Sequence, residues 1–263
     1  MDDGTAPPGI DPAVASPARV YDYLLGGKDN FEADRAVADM MIKAFPETPE
    51  VLRENRRFLV RAVRRLAAGH GVRRFLDIGS GLPTQDNVHQ VAQRSAPGSQ
   101  TVYVDNDPMV TVHARALLDA PGTAVIHGDL REPEAVLAEP AVRDLLATDE
   151  PVALLLVAVL HFIKDSEDPY GLVKRLVEAL PPGSFLVLSH GTDLEAESAE
   201  VARGAYRRNA SADLTLRPRD AIAPFFDGLE LLDPGLVWAK DWWPDDASTG
   251  ILGVYAGVAR SSR

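Results

Sequence analysis

The sequence predicts a doubly wound α/β fold, a mostly parallel seven-stranded sheet with helices on both faces and an N-terminal helical lid. From Val72 onward, short apolar segments alternate with amphipathic helical segments, which is the pattern of repeated βα units. The segment from Val152 to Val157 is apolar without alternation, as is typical of a central strand that is buried on both faces. A chain of 263 residues is long enough to form one such domain with a substantial core.

The region before this repeat divides into an arm and a set of helices. Residues 1–16 are rich in proline and glycine and hold few apolar anchors, so we expect a flexible arm. Residues 17–70 show helix start and stop signals but are too few to fold alone, so we expect a helical lid. The lid and the α/β core, residues 71–263, then form one domain, 17–263. The predicted lid helices are Ala18–Leu25, Phe31–Phe45 and a third that starts at Thr48 and ends before Gly69.

The elements of the core follow from apolar periodicity and from turn signals. The tail strands are expected to add an antiparallel edge pair to the parallel sheet. The predicted strands are Phe75–Ile78, Thr101–Val104, Ala124–His127, Val152–Val157 and Phe185–Leu188, with tail segments Leu229–Leu232, Leu236–Trp238 and Ile251–Ala259. The predicted helices are Gln85–Ala96, Met109–Leu118, Ala135–Leu146, Leu172–Leu180 and Glu195–Arg208.

Composition and charge exclude several classes of protein. The net charge of −12 argues against a nucleic-acid partner, because a duplex-binding protein needs a basic face. The absence of cysteine excludes disulfides and cysteine nucleophiles, and the histidines lack metal-ligand spacing, so we predict no metal site. The acidic N-terminus is unlike a signal peptide, and the longest apolar run, Val152 to Ile163, is shorter than the roughly 20 residues of a membrane span. We therefore expect a cytoplasmic protein without a membrane partner; no pattern predicts an oligomeric state.

A glycine turn follows the first core strand directly. In Asp77-Ile78-Gly79-Ser80-Gly81-Leu82, two glycines let the backbone turn sharply and approach a ligand closely. The dinucleotide fingerprint G-x-G-x-x-G would place a third glycine at position 84, where Thr84 stands. NAD is therefore disfavoured as a ligand, although an NAD-binding oxidoreductase stays among the alternatives.

Acidic residues end the next two predicted strands. Asp105 lies just over twenty residues beyond the glycine turn, where a carboxylate can accept hydrogen bonds from both ribose hydroxyls. Asp129 follows the third strand, where a carboxylate can accept from an adenine amine. The alternative is that both residues only cap the helices that follow them. Three polar features in order at one sheet edge favour a nucleoside-binding site.

The arrangement resembles the class I S-adenosylmethionine-dependent methyltransferases, which have a Rossmann-like fold, across about residues 72–260. Residues 77–81 resemble their glycine motif, Asp105 their ribose acid and Asp129 their adenine-side acid. Residues 19–31, together with residues 77–84, are similar to a bacterial methyltransferase family first catalogued as a domain of unknown function. This resemblance implies S-adenosylmethionine as the cofactor. The turn Gly26-Gly27 between two lid helices also suits a loop that closes over a ligand. The cofactor-binding residues that we predict are Asp77, Gly79, Ser80, Gly81, Asp105, Asn106, Asp129, Leu130 and Ala158, with Tyr21 and Gly27 from the lid.

Candidates for catalysis are few. His161 and His190 end the fourth and fifth strands and are candidate bases, while Tyr21 is a candidate for contact with the cofactor sulfonium. The alternative is that each histidine satisfies local backbone groups or lines the cofactor, and that Tyr21 packs in the core. Methyl transfer from a sulfonium is an in-line displacement that depends mainly on positioning, so no catalytic triad is expected.

The sequence thus predicts an S-adenosylmethionine-dependent methyltransferase that acts on an unidentified, small-molecule acceptor. Two alternatives stay open: a non-catalytic regulator that binds S-adenosylmethionine, and the NAD-binding oxidoreductase.

Overall fold

The computed structural model describes residues 10–83, 86–117, 120–193, 196–245 and 252–262. In this part of the chain, the α-helices are α1 (Pro17–Leu24), α2 (Glu32–Ala44), α3 (Thr48–Gly69), α4 (Val88–Ser95), α5 (Pro108–Leu117), α6 (Pro133–Ala138), α7 (Pro140–Leu146), α8 (Pro169–Glu178), α9 (Ala196–Asn209) and α10 (Arg219–Ile222). The strands are β1 (Arg74–Ile78), β2 (Gln100–Asp105), β3 (Thr123–His127), β4 (Val152–Val157), β5 (Phe185–Gly191), β6 (Leu229–Leu231), β7 (Val237–Trp238) and β8 (Val254–Ser261).

The strands described form one mostly parallel sheet of eight, one more than predicted, and seven of them follow the order β3-β2-β1-β4-β5-β8-β6. The two-residue strand β7 pairs with β8 beside this path. β8 lies antiparallel between β5 and β6, so the tail does supply the antiparallel strands. The predicted Rossmann-like α/β fold is confirmed.

The predicted elements differ from the observed ones mainly at their ends. One predicted helix, Ala135–Leu146, is in fact two helices, α6 and α7, because Pro140 cannot continue a helix. Glu139, the residue before this proline, is extended, with φ −61° and ψ 132°. The predicted bounds at Gln85, Leu118, Glu195 and Ile251 lie outside the described residues.

The sheet separates two apolar clusters, since successive side chains on a strand point to opposite faces. On β1, Phe75 belongs to the cluster that α3 and α4 cover, and Leu76 to the cluster that α8 covers. Strand β4 is buried on both faces, as its unbroken apolar run predicts. No helix among the described residues is long and apolar enough to cross a membrane.

Of the N-terminal helices, α2 packs against α9, and α1 and α2 both contact α3. A buried ion pair joins α1 to α2: Arg19 Nε lies 2.8 Å from Asp34 Oδ2, and both side chains are buried. Asp34 also accepts hydrogen bonds from the backbone N–H groups of Ser16, at 2.9 Å, and Phe31, at 2.7 Å. These contacts fix the start of α1 against α2.

The predicted flexible arm, residues 1–16, extends too far, because its last residues are ordered by contacts with the core. Residues 1–9 lie outside the described part, but Ala15 is fully buried and forms a bridge with Ala210. Ala15 N–H donates to the Asn209 carbonyl at 2.9 Å, and Ser211 N–H donates to the Ala15 carbonyl at 2.8 Å. The segment before α1 is therefore held on the end of α9 and does have something to bury.

Candidate functional site

A cavity of about 390 Å³ lies at the carboxyl ends of β1, β2, β3 and β4, and we call it the main cavity. This edge is where doubly wound sheets bind ligands, because the chain order reverses beside β1. Strand register brings Ile78 beside Val104 and Asp105 beside His127, so the loops after β1, β2 and β3 meet there. The predicted residues that line it are Tyr21, Asp77, Gly79, Ser80, Gly81, Asp105, Asn106, Asp129, Leu130 and Ala158.

Both glycines of the turn have left-handed backbone conformations, but for different reasons. Gly79 (φ +75°) packs so closely that an added Cβ would lie 2.3 Å from Val159 Cγ2. Gly81 (φ +68°) has nothing within 4 Å of such a Cβ. Position 79 therefore requires glycine for packing, whereas at position 81 the space beside the backbone belongs to the cavity.

Asp105 ties the glycine turn to the loop after β2. Its Oδ2 accepts from Gly81 N–H at 2.8 Å, and its Oδ1 accepts from Asp107 N–H at 2.9 Å. Each carboxylate oxygen keeps a further lone pair. Burial raises the pKa of Asp105 to about 6, and the backbone donors oppose that shift. Both donors lie outside α5, whose Met109 N–H donates to Asp107 instead, so Asp105 is not the helix cap considered as the alternative. Asp105 lies on the cavity wall.

Asp77 is nearly buried and makes no hydrogen bond within the described residues, although it lines the main cavity. Burial raises its pKa to about 7, with the Arg56 charge lowering the value and the Asp105 charge raising it. Arg56 also lines the cavity. Its Nη2 donates to the Asp86 carbonyl at 3.3 Å, and its buried Nε has no hydrogen-bond partner in the part of the chain that the structure describes. The cavity therefore presents the carboxyl group of Asp77 and the guanidinium group of Arg56, and both can form further hydrogen bonds with a ligand.

Asp129 is more fully engaged than the other two acids. It accepts from Arg131 N–H at 2.9 Å, from Arg131 Nη1 at 2.9 Å and from Asn106 Nδ2 at 3.0 Å. Burial raises the pKa of Asp129, but these donors and the Arg131 charge outweigh it and lower the pKa overall. Asp129 is therefore a carboxylate held in place by Asn106 and Arg131.

A hydrogen-bond chain joins α1 and α3 to the ends of β4 and β5. Tyr21 Oη donates to the Leu52 carbonyl at 3.3 Å and accepts from Asn55 Nδ2 at 3.0 Å. Ser189 Oγ donates to Asn55 Oδ1 at 2.6 Å and accepts from Ala158 N–H at 3.0 Å. Ala158 itself has a left-handed φ of +56°, a strained conformation of the kind found at functional sites.

Gly27 does not line the main cavity, which corrects its place among the predicted cofactor residues. Its N–H donates to the Asp22 carbonyl at 2.8 Å, and an added Cβ would lie 1.9 Å from Asp22 Oδ1. Asp22 also accepts from Asp29 N–H and from Asn30 Nδ2. The glycine is therefore required by a loop that is folded around Asp22, away from the cavity.

His190 is not placed for catalysis either. It is fully buried: Nδ1 donates to the Gly191 carbonyl at 2.7 Å, and Nε2 accepts from Arg217 Nη1 at 2.8 Å. Burial lowers the pKa of His190 to about 3, and the Arg217 charge acts in the same direction. With both ring nitrogens bound to protein, His190 is a structural residue.

His161 lies on a second cavity of about 150 Å³ that adjoins the main one, and we call it the side cavity. Tyr21 and Ala158 line both cavities. Gly191 N–H donates to His161 Nδ1 at 3.3 Å. Among the described residues, no three histidine, aspartate or glutamate side chains come together as metal ligands.

Sequence reasoning missed several residues of the main cavity. Asn55, Arg56 and Arg131 stand on elements without a recognisable motif. The segment from Ile10 to Arg19 forms a wall of the cavity, and Ser16 Oγ donates a hydrogen bond to Asp107 there. For Arg56, the available sequence signal was only its place in the amphipathic helix α3.

Comparisons with known proteins agree on one family. A family model described as S-adenosyl methyltransferase matches residues 3–262. A candidate methyltransferase from Thermobifida fusca YX is 41% identical, with a TM-score of 0.90 and 98% of each chain covered. A DUF574 family protein from Streptomyces avermitilis MA-4680 is also 41% identical, with a TM-score of 0.90 over 94% of this chain and 98% of that one.

A more distant structure shares the fold. The N-methyltransferase NodS from Bradyrhizobium japonicum WM9, solved with S-adenosyl-L-homocysteine, is 14% identical, with a TM-score of 0.50 over 93% of this chain and 100% of that one. A search of curated proteins found no match. The resemblance inferred from residues 19–31 and 77–84 is confirmed by the family model and by the two 41% identical structures.

Proposed function

This chain belongs to the S-adenosyl methyltransferase family. On that premise we propose that it transfers a methyl group to a small-molecule acceptor from S-adenosylmethionine that is bound in the main cavity. Methyl transfer and the cofactor follow from the family, which disfavours the NAD-binding alternative. The size of the acceptor and the roles of the residues are the proposal. One observation carries it: a glycine turn, the carboxylates of Asp77, Asp105 and Asp129, and the partly unpaired Arg56 line a single cavity.

The unsatisfied groups of the cavity match the methionine part of the cofactor. Asp77 is buried and makes no hydrogen bond with the described residues, and such a carboxylate is costly unless a cation or donor joins it. The ammonium group of the cofactor would supply that partner. The orphaned Nε of Arg56 would donate to the cofactor carboxylate, as guanidinium groups commonly do. The open space beside Gly81 would let the ligand approach the backbone.

The nucleoside part would lie along the ends of β2 and β3. The free lone pairs of Asp105 would accept from the ribose hydroxyls, and its two backbone donors hold the carboxylate in place for that purpose. Asp129 would accept from the adenine amine, with Asn106 and Arg131 fixing its orientation. Leu130 supplies a buried apolar contact beside it.

Positioning is the main contribution of the chain to the reaction. The bound cofactor supplies an electrophilic methyl group on its sulfonium. Tyr21 and Ala158 line both cavities, where hydrogen bonds to Leu52, Asn55 and Ser189 hold them. Burial raises the pKa of Tyr21, so its phenol stays neutral. Fixed positions of these residues favour in-line transfer through orientation.

Calorimetry with S-adenosylhomocysteine tests the proposal through Asp105. Asp105→Ala should weaken binding by at least about 10- to 100-fold, because one charge-assisted hydrogen bond contributes about 1.5–3 kcal/mol and the carboxylate would accept two. The variant should also melt at a lower temperature, since Gly81 and Asp107 lose their acceptor. The 2′-deoxyribose analogue is the matched control, because it lacks one of the two hydroxyls. The proposed role fails if the mutation weakens this analogue as much as it weakens the natural ligand.

The pH dependence of binding provides an independent test. The pKa values of about 6 for Asp105 and about 7 for Asp77 lie above the usual aspartate range, so the ligand-free protein binds protons there. An ammonium group and hydroxyl donors favour the ionised carboxylates, so binding should release protons. Affinity for S-adenosylhomocysteine should therefore rise from pH 5 to pH 8 and level off above.

Titrations in two buffers of different ionisation enthalpy measure that proton release directly. Asp77→Asn is the control variant, because it removes the higher of the two pKa values and should leave only the dependence near pH 6. An affinity that is constant from pH 5 to pH 8 would rule out both carboxylates as ligands of the cofactor.

A further inference from the structure

We infer that the side cavity receives the methyl acceptor, and that the acceptor is an uncharged molecule that presents a ring-sized apolar group with a hydrogen-bond-accepting atom. This inference rests on the proposed function, because it takes the main cavity as the cofactor site. It adds the location and the chemical class of the acceptor.

The position of the side cavity supports this assignment. It lies between α1, the start of α3, α9 and the ends of β4 and β5. Pro17, Tyr21, Ala158 and Phe162 line both cavities, so the two spaces are neighbours that share these four wall residues. A molecule in the side cavity would therefore lie next to the main cavity, beside the strained Ala158.

The walls of the side cavity determine what it can hold. Among the described residues that line it, none carries a charged side chain, and the polar ones contribute hydroxyl groups and one imidazole. A charged acceptor would lose its hydration there without gaining a counter-ion, which is strongly unfavourable. The apolar lining includes Leu24, Met41, Phe45, Val51, Leu214 and Leu216.

The volume of the side cavity sets a size for the group that enters it. At about 150 Å³, it equals the engineered apolar cavity that binds benzene in another protein. A phosphorylated sugar, a nucleotide or a peptide backbone fits neither this volume nor these walls. A single ring, or an aliphatic group of the same size, fits both.

His161 supplies the polar contact. Because Gly191 N–H donates to its Nδ1, the neutral ring carries its proton on Nε2, which has no protein partner among the described residues. Burial, with His190 and the Arg217 charge close by, holds the pKa of His161 well below its usual range. His161 therefore acts as a hydrogen-bond donor to the acceptor rather than as a base.

The transfer step then needs a nucleophile with a lone pair of its own. A lone pair on the acceptor forms a bond to the methyl carbon while the carbon–sulfur bond breaks, and the bonding electrons stay on sulfur. The products are the methylated acceptor and S-adenosylhomocysteine. Any proton on the acceptor heteroatom passes to water.

A filled cavity tests the location. Ala202 lines the side cavity, whereas the adjacent Val201 on the same helix is 40% exposed and lies outside both cavities. Ala202→Phe should therefore weaken the binding of acetophenone, an uncharged ring with an acceptor oxygen, at least tenfold in protein saturated with S-adenosylhomocysteine. Val201→Phe is the matched control and should change nothing. Ligand-observed NMR measures the dissociation constants.

Further probes test the chemical class on the unaltered protein. Benzoate and benzylammonium, which have the same ring with a charge, should bind at least tenfold more weakly than acetophenone. His161→Ala should abolish the preference for acetophenone over ethylbenzene, and His161→Gln, which keeps a donor near the position of Nε2, should retain part of it. A purely structural role of His161 would lower both affinities equally.

The outcomes separate this inference from the proposed function. If S-adenosylhomocysteine does not bind the unaltered protein, the proposed function fails. If it binds, but acetophenone binds Ala202→Phe as tightly as the unaltered protein, or the charged probes bind as well as acetophenone, the inference is overturned. Retained S-adenosylhomocysteine binding reports that a variant is folded. Thr192→Phe, which fills the same cavity from the loop after β5, decides the location if Ala202→Phe is not folded.

Discussion

Gly81→Val is expected to abolish S-adenosylmethionine binding and to leave the sheet folded. The side chain would project into the open part of the main cavity, where an added Cβ has no protein atom within 4 Å. The left-handed φ of +68° adds strain of about 1–3 kcal/mol, which a domain of this size tolerates. Calorimetry should detect no binding, and circular dichroism should show an unchanged helix and strand content.

Gly71→Val is the matched control for that strain. Gly71 has a similar φ of +71°, and an added Cβ also meets nothing within 4 Å, but it lies between α3 and β1, away from the cavity. This variant should lose a similar amount of stability and bind the cofactor normally. Binding by Gly81→Val within about threefold of the unaltered protein would mean that the ligand does not approach the glycine turn.

Asp34→Ala is expected to have the largest effect on stability. The change removes the nearer counter-ion of the buried Arg19 guanidinium, whose other carboxylate neighbour, Asp107, lies 3.8 Å away. It also removes the acceptor of the Ser16 and Phe31 N–H groups. Breaking one partner of a buried ion pair costs about 3–5 kcal/mol. For a domain of this size, that loss lowers the melting temperature by roughly 10 °C. Chemical denaturation measures the free energy of unfolding.

Cofactor affinity should fall as well, because Ser16 and Arg19 line the main cavity. Glu50→Ala removes an exposed carboxylate that pairs with Arg53 and Arg57, and it is the control. This surface change should cost less than about 1 kcal/mol.

The double variant Arg19→Met/Asp34→Leu should be more stable than Asp34→Ala, since it buries no unpaired charge. A loss below about 1 kcal/mol for Asp34→Ala would contradict the assigned role of the pair.

The sheet and its ligand-facing edge could be predicted because they depend on local pattern. Strands of a parallel sheet end at one edge, so the glycine turn, Asp105 and Asp129 had to come close together once the βα repeat was recognised. The unbroken apolar run at Val152 likewise predicted a central strand. These inferences need only the residue types and the chain order.

The wall from Ile10 to Arg19 could not be predicted in that way. Its composition is typical of a frayed arm, and the contacts that order it, Ala15 with Ala210 and Arg19 with Asp34, join distant parts of the chain. Gly26-Gly27 shows the reverse case. A glycine pair between two helices suits a ligand-binding loop, yet here Gly27 packs against the Asp22 side chain, and the Asp22 carboxylate accepts from Asp29 N–H.

The two histidines show the same limit at the level of chemistry. His161 and His190 both follow apolar strands and are equivalent as sequence positions. Only tertiary contacts separate them, since Arg217 and Gly191 bind both nitrogens of His190 and leave one nitrogen of His161 without a protein partner among the described residues.

The central claim is that the cofactor binds in the main cavity and that the N-terminal segment forms one wall of this site. Hydrogen exchange with and without S-adenosylmethionine tests it most directly. On addition of the cofactor, amides of residues 13–21 should exchange more slowly, together with those of 79–81, 105–107 and 129–131. Amides of residues 26–30 should be unchanged, because that loop is folded around Asp22 away from the cavity. Protection that omits both residues 13–21 and residues 79–81 would contradict the account.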